Sequence, residues 1–447
     1  MLFTFKHTPQ DFFVEELLGF ELSGKGDVFF VQFEKENKNT MDIIAHLCKS
    51  FPIERKDLGI SGLKDKHAVT RQRICIYKSV LEKIGGDQTK GREEFLKHLG
   101  QVAKIITTTW HDTPLAVGRH KYNRFRIVLR FKDTPSSELE TNIEEKIKKI
   151  QTTGFPNCFG QQRFGKGNRN FKRACEIFQM TKKAMKNAFE IRFKLQAFSS
   201  MYFNHYALSR RKKGQHLLEG DILTSTFHAW KAEVGSYENQ EIHLFDYQQC
   251  KEHYPDKEFF APNYYDKTIP YDPKKWTPTG LILGYNMLLC PNGSKAFFKD
   301  WELIKKSKVL DYMESIKKHQ LWGIRRPLWI IPKNFSYTWS PSHTYHPLKK
   351  QNSPVLDPSV PQSGTAPLQG DPASPLGGGT PEQSEGGGSY IEVPYESREG
   401  GCELTLNFTL PTGAYATVLL SSIFQDIDYN TCKQNKLLIP NEIISIN

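Results

Sequence analysis

The sequence has no closely spaced cysteine pair. Its eight cysteines (48, 75, 158, 175, 250, 290, 402 and 432) are scattered, with no CxxC and no nearby Cys/His pairing. That excludes a small disulfide framework, gives no zinc-ligand spacing, and fits a reducing compartment. Long apolar runs are also missing: the longest, 280-GLILGYNMLLC-290, is too short to span a bilayer. The opening MLFTFKHTPQDFF lacks the basic and then apolar regions of a secretory leader. A soluble, cytoplasmic protein is therefore expected. Neither a P-loop nor a dinucleotide-binding glycine fingerprint occurs, and no internal repeat is evident.

What the chain does have is size, aromatic content and positive charge. At 447 residues it exceeds one ordinary domain, and its composition (38% hydrophobic, 12% aromatic) supports substantial cores. Lys and Arg number 61 against 49 Asp and Glu, a formal charge of +12. Such an excess points to a polyanionic partner, nucleic acid first.

Hydrophobic periodicity alternates between strand and helix through the first half. Val28–Phe33 (VFFVQF) reads as a buried strand, and Thr40 as the N-cap of a helix reaching Cys48. Ile74–Tyr77, Ile105–Trp110 and Arg124–Phe131 (RFRIVLRF) read as strands, Glu93–His98 as helix. The sequence 134-TPSSELETNIEEKIKKI-150 places Thr134 before a proline at a helix start. The mixture predicts an α+β fold with a mixed, largely antiparallel sheet. From Pro156 to about Ser315 the texture changes: basic clusters 163-RFGKGNRNFKR-173 and 209-SRRKKG-214, a long helix near Phe189–Arg211, then an aromatic stretch around Tyr254–Trp276. Strand signals resume at 325-RRPLWIIP-332 and 403-ELTLNFTLP-411. The expected organisation is therefore 1–155 and 316–447 forming one lobe, with 156–315 inserted as a second. Residues 350–388, rich in Pro, Gly, Ser and Gln, are expected to form a disordered loop within the closing segment.

One short stretch bears on chemistry. In 59-GISGLKDKHAVTRQ-72, Gly59 and Gly62 permit tight backbone geometry ahead of Lys64–Asp65–Lys66. In an extended segment Asp65 lies on one face and both lysines on the other. Nearby cations favour the ionised carboxylate, and the lysines are suited to phosphates. An ionised Asp aimed into a pocket can attack or deprotonate a nucleotide sugar. A solvated turn with alternating charges reads equally well from these residues alone.

Together the motifs resemble the TruD family of tRNA pseudouridine synthases. The run 62-GLKDKHAVTRQ-72 is similar to that family's signature, and 11-DFFVEELLGF-20 to its D-F-x-V-x-E segment. Asn123 and Phe125 fit its G-x-x-x-x-N-x-F element, and 156-PNCFGQQRFG-165 its P-N-Y-F-G-x-Q-R-F-G. Gly220-Asp221, Arg325-Arg326 with Pro332, and 410-LPTGAYAT-417 also fall at family-like places. Tyr122 replaces the usual small residue before the motif Asn, and Cys158 the usual Tyr, which bears on local packing. Residues 350–388 have no counterpart.

The resemblance implies isomerisation of uridine to pseudouridine, at tRNA position 13 for the family, with no cofactor, no metal, tRNA as partner and a monomer acting alone. Asp65 takes the place of the catalytic aspartate, by attack at C1′ or by abstraction of the 2′ proton. The target base must be flipped from its stack. Phe125 is the candidate to stack on it, the alternative being a core aromatic on its strand. Asn123 is a candidate to hydrogen-bond the active-site loop. Asn157, Phe159, Gln162 and Arg163 stand where the second lobe joins the first; Gln162 and Arg163 are expected to order the loop or touch RNA, while Phe159 equally suits packing of the hinge. Lys64 and Lys66 are phosphate-binding or loop-anchoring groups. Glu15 has an ion-pair role or an RNA-side role. The basic run 210-RRKK-213 reads as a tRNA-tracking cluster or a solvated helix face. An RNA-binding or RNA-chaperone protein without turnover is the alternative from another class; an RNA methyltransferase lacks its glycine-rich loop.

Overall fold

Apolar and alternating segments spread over most of the chain meet in one nine-stranded sheet in the computed structural model, which describes residues 3–179, 188–214, 216–225, 244–245, 263–265, 271–341 and 401–424. Seven strands come from the first part: β1 (Phe3–Phe5), β2 (Phe12–Leu17), β3 (Val28–Glu36), β4 (Leu58–Ile60), β5 (Val69–Tyr77), β6 (Lys104–His111) and β7 (Tyr122–Phe131). Lys333–Pro341 and Cys402–Pro411 complete it. The path runs Lys333–Pro341, Cys402–Pro411, β7, β2, β5, β3, β6, with β1 on β7 and β4 on β5. β2 and β5 run parallel, and the other pairings of this sheet are antiparallel. The fold is α+β with a mixed, mostly antiparallel sheet.

Side-chain alternation divides this sheet into two faces. On β7, Phe125, Ile127, Leu129 and Phe131 are buried, as the RFRIVLRF pattern requires. Helix α4 (Ser137–Thr153) covers that half through Ile143, Ile147 and Ile150. At the other end of the same face Phe29, Val31 and Phe33 of β3 pack beneath α1 (Thr40–Ser50), α2 (Lys78–Gly85) and α3 (Gln88–Val102). The continuous VFFVQF run is explained by burial on both faces, because Val28 and Phe30 point the opposite way into a cluster with Leu18, Cys75 and Leu115.

Two helix starts differ from expectation. Asn39, not Thr40, is the N-cap of α1: its backbone is extended and its N–H donates to Asp42 Oδ2 at 3.4 Å. Ser136 caps α4 in place of Thr134, its hydroxyl accepting from the Leu139 N–H at 3.3 Å. For α4 the side chain next to the first turn thus accepts one of the helix's free N–H groups.

The middle of the chain forms a four-stranded sheet, Asn263–Tyr264, Ile222–Ser225, Trp276–Ile282 and Ile324–Pro327, beside the long helix Ala188–Lys212. Ile324–Pro327 pairs with Trp276–Ile282, so the chain regains the large sheet only at Lys333, later than the sequence division at 315/316. Two fully buried arginines stitch this region. Arg210 grips both carboxylate oxygens of Asp221 at 2.8 and 2.6 Å, and Arg325 reaches Asp300 at 2.7 Å. Of 210-RRKK-213, then, Arg210 is internal, and only Lys212 and Lys213 are exposed. Residues 350–388 lie outside the described residues, as does much of Tyr254–Trp276. Among the described residues no helix is long and apolar enough to cross a membrane.

Removing one partner from a buried ion pair strands the other charge. Asp221→Ala is therefore expected to lower unfolding free energy by about 3–5 kcal/mol, read as a reduced denaturant midpoint with an unchanged slope.

Candidate active site

Between the two apolar covers, the same sheet face turns polar. Phe12, Val14 and Glu16 of β2 share that face with Asn123 and Phe125 of β7, which stand opposite Glu16 and Val14 in register. Thr70 and Gln72 of β5 and Lys35 of β3 continue it, all of them buried. The stretch 61–68, which joins β4 to β5, crosses this polar band in irregular backbone, not as the extended segment assumed from sequence. Gly59 is required where it lies, since an added Cβ would fall 2.5 Å from Cys75 Sγ and 2.8 Å from the Leu115 carbonyl. Gly62 has ordinary room, its nearest neighbour being His120 at 3.8 Å.

The Asp65 side chain is 37% exposed, and its Oδ1 lies 3.4 Å from Lys6 Nζ. The cation beside the carboxylate thus comes from the turn after β1, not from the flanking lysines. Lys6 is buried against Phe12, with Nζ 3.9 Å above the ring centroid, and it holds a left-handed φ of 59°. The Asp65 carbonyl accepts from Lys35 Nζ at 2.7 Å. Lys64 turns inward: its Nζ is 3.2 Å from Glu16, a carboxylate with no exposed surface, and its N–H donates to Thr40 Oγ1 at 3.3 Å. Lys64 is thus tied to β2 and to α1. Lys66 is exposed.

Glu15 lies on the opposite face of β2, paired with Arg124 at 3.3 Å and accepting from Gln32 at 3.5 Å. Phe125 is 8% exposed; Phe408 stacks on it at 5.2 Å and Phe12 meets it edge-on at 6.1 Å. It thus joins the floor of the polar band as a packed aromatic. Asn123 stands beside His120, whose ring Nδ1 is 3.9 Å from Glu16. Burial, reinforced by the charge of Lys64, pulls the His120 pKa down to about 3.

The second group of motif residues forms a separate knot. Asn157 is buried, donating to the Pro327 carbonyl and accepting from Arg326 at 2.6 Å. Phe159 carries the Arg326 guanidinium 4.2 Å from its ring centroid, and its backbone exchanges two bonds with Asn204. Arg163 donates to Gln196 and lies 5.4 Å from the Phe159 and Phe193 centroids, while Gln162 is exposed. The knot reaches the polar band through the C-terminal motif. Arg326 donates to the Gly413 carbonyl at 2.9 Å, and Thr412 Oγ1 to the His120 carbonyl at 2.6 Å. The two departures from the family pattern are absorbed by packing: Cys158 is fully buried, and the Tyr122 hydroxyl accepts from Lys333 at 3.3 Å.

Sequence reading missed Lys6, Glu16, Lys35 and His120. Glu16 was legible by parity, because Phe12 and Val14 facing the core require Glu16, not Glu15, to do the same. Lys6 and Lys35 reach Asp65 through space and left no local signal.

The chain resembles known proteins over much of its length. The family model described as tRNA pseudouridine synthase D (TruD) matches residues 3–191. The tRNA pseudouridine synthase D of Sulfurimonas denitrificans is 29% identical over 341 residues, covering 74% of this chain and 86% of that protein. That of Proteus mirabilis is 32% identical over 252 residues, covering 54% of this chain and 67% of that protein. A crystal structure of a candidate tRNA pseudouridine synthase D from Methanosarcina mazei has the same fold, with a TM-score of 0.56 at 16% identity over 94% of this chain and 93% of that one. The chain belongs to the TruD family of tRNA pseudouridine synthases.

His120 supplies a pH signature. Its folded pKa of about 3 lies below the ordinary 6.5, so between those values the unfolded chain binds the extra proton. Stability is then lost as pH falls through that window. Acidification from pH 7 to 5 should cost about 2 kcal/mol from this group. His120→Gln should flatten that part of the urea-midpoint profile.

Proposed function

We propose that this protein converts uridine to pseudouridine in tRNA, at position 13 by family resemblance, with Asp65 as the catalytic carboxylate. The observation that carries the reading is a partly exposed Asp65, paired with Lys6 and clamped from behind, on a band floored by Phe12, Val14 and Phe125. The reaction breaks the N1–C1′ bond, turns the uracil in its pocket and joins C5 to C1′; the C5 proton leaves and N1 regains a proton. Asp65 acts either as nucleophile at C1′ or as base toward the 2′ proton. The target uridine is flipped out of its stack to reach it, at a cost of a few kcal/mol. Phe125 and Asn123 line the base pocket. Asn157, Phe159 and Arg163 brace the pocket from the second region, and Lys66 and Gln162 are offered to the RNA. The lobe formed by residues 1–155 and 316–447 is the catalytic unit in this reading, and 156–315 is an insertion that shares tRNA binding.

Tritium released from tRNA labelled at uridine C5 reports the new bond. Release is expected from wild-type protein; no release above background from any tRNA, with the protein folded, leaves the reading of an RNA binder without turnover. Asp65→Asn should abolish release and leave tRNA affinity within a few-fold; normal turnover by that variant would remove Asp65 from the chemistry. Phosphate contacts should dominate affinity for a chain of charge +12, so binding should weaken steeply with added salt. Salt-independent binding contradicts that reading.

A further inference from the structure

Lys35 is 1% exposed, at the end of a strand register in which Phe29, Val31 and Phe33 are core residues. An apolar side chain would continue that pattern, and a buried ammonium is costly to desolvate unless its protons are bonded. Its Nζ donates to two carbonyls, those of Lys38 and Asp65, both at 2.7 Å. Among the described residues no carboxylate comes within ion-pair distance of it; the charges it faces are Asp65 and Lys64 on the loop and Asp42 on α1. Burial draws its pKa down to about 8, so the amine is mainly protonated at neutral pH. The surrounding turn is tied to the same loop, with the Asn37 N–H donating to the Ala68 carbonyl at 3.2 Å.

We infer that Lys35 is a positioning residue, whose ammonium fixes the peptide carrying Asp65 and so aims the carboxylate from behind. This rests on the reading of Asp65 as the catalytic group. Among the described residues the side chain of Asp65 has one ion-pair partner, Lys6, which constrains its tip; Lys35 constrains its root. A carboxylate fixed at both ends keeps its attack line while its front remains open. Loss of the rear tether leaves RNA contacts intact and misplaces the reacting oxygen, so the effect falls on the chemical step.

The test is single-turnover tritium release with enzyme in excess, beside filter binding of the same tRNA. Lys35→Met keeps the length of the stem and removes the bonds. It is expected to lower the single-turnover rate constant by about 100-fold, as expected of a misplacement near 1 Å, with the dissociation constant within about threefold. Lys35→Gln, which keeps N–H donors without the charge, should recover part of the rate, and it carries the same comparison if the Met variant does not fold. A rate constant within about threefold of wild type in the folded variants, or a loss of affinity that matches the loss of rate, overturns the inference. Absence of release from the wild-type protein overturns instead the reading of Asp65 beneath it.

Discussion

The geometry around Asp65 depends on a carboxylate without any exposed surface. Glu16 stands one residue from the end of β2, fully buried, where a carboxylate needs a strong partner. Lys64 is that partner, and it is the residue immediately before Asp65. Burying both charges costs several kcal/mol per ion, which their attraction and further bonds offset only when the geometry is good. The return on that arrangement is register. The 61–68 crossing cannot slip along the sheet without separating two buried charges, so the neighbouring carboxylate is held to one place. What looks from sequence like a solvated Lys–Asp–Lys turn is a loop pinned through its first lysine.

The sheet makes room for such a pair because its covers stop short of each other. α1, α2 and α3 close one end of the face and α4 the other, and each brings its own apolar cluster. The strip between them is left to Glu16, Lys35, Thr70, Gln72 and Thr40. Thr40 is instructive: because Asn39 takes the cap of α1, its hydroxyl is free to accept from Lys64 and donate to Gln72. A helix start one residue earlier than expected thus supplies a loop anchor. The second region is tied to the same strip by bonds running from Asn157 through Arg326 to Gly413, and from Thr412 to His120. Motifs far apart in the chain are links of one polar chain that ends at His120.

The sequence carried the strands well and the site unevenly, for physical reasons. β7 was legible because its alternation follows directly from one covered face, and β3 because burial on both faces leaves an unbroken apolar run. Asp65 was singled out by the resemblance, since its own neighbours suit a surface turn. Phe125 packs against Phe408, a contact its strand position favours and one that does not decide its role toward a base. Glu15 was singled out, although the D-F-x-V-x-E pattern itself ends on Glu16 and parity along β2 sets Glu16, not Glu15, on the face of Phe12 and Val14. Arg210, in a run of four basic residues, read as part of a tRNA-tracking cluster or of a solvated helix face, but its partner Asp221 sits just before the strand Ile222–Ser225, where spacing alone cannot announce it. The division at 315/316 followed composition, yet pairing of Ile324–Pro327 with Trp276–Ile282 is a long-range choice that composition does not encode.

The three lysines around Asp65 divide the work by depth. Lys64 acts at the sheet interior, Lys35 at the backbone, and Lys6 at the carboxylate itself, where it is buried while its partner remains 37% exposed. Lys6 is also held in a left-handed backbone conformation, which a non-glycine residue adopts at a cost and keeps only where its surroundings fix it. Phe12 supplies that fixing, since the ammonium rests on its ring. A cation so placed rests against the Phe12 ring while it faces one oxygen of Asp65. The loop is therefore tied where it meets protein and partly exposed at the Asp65 carboxylate.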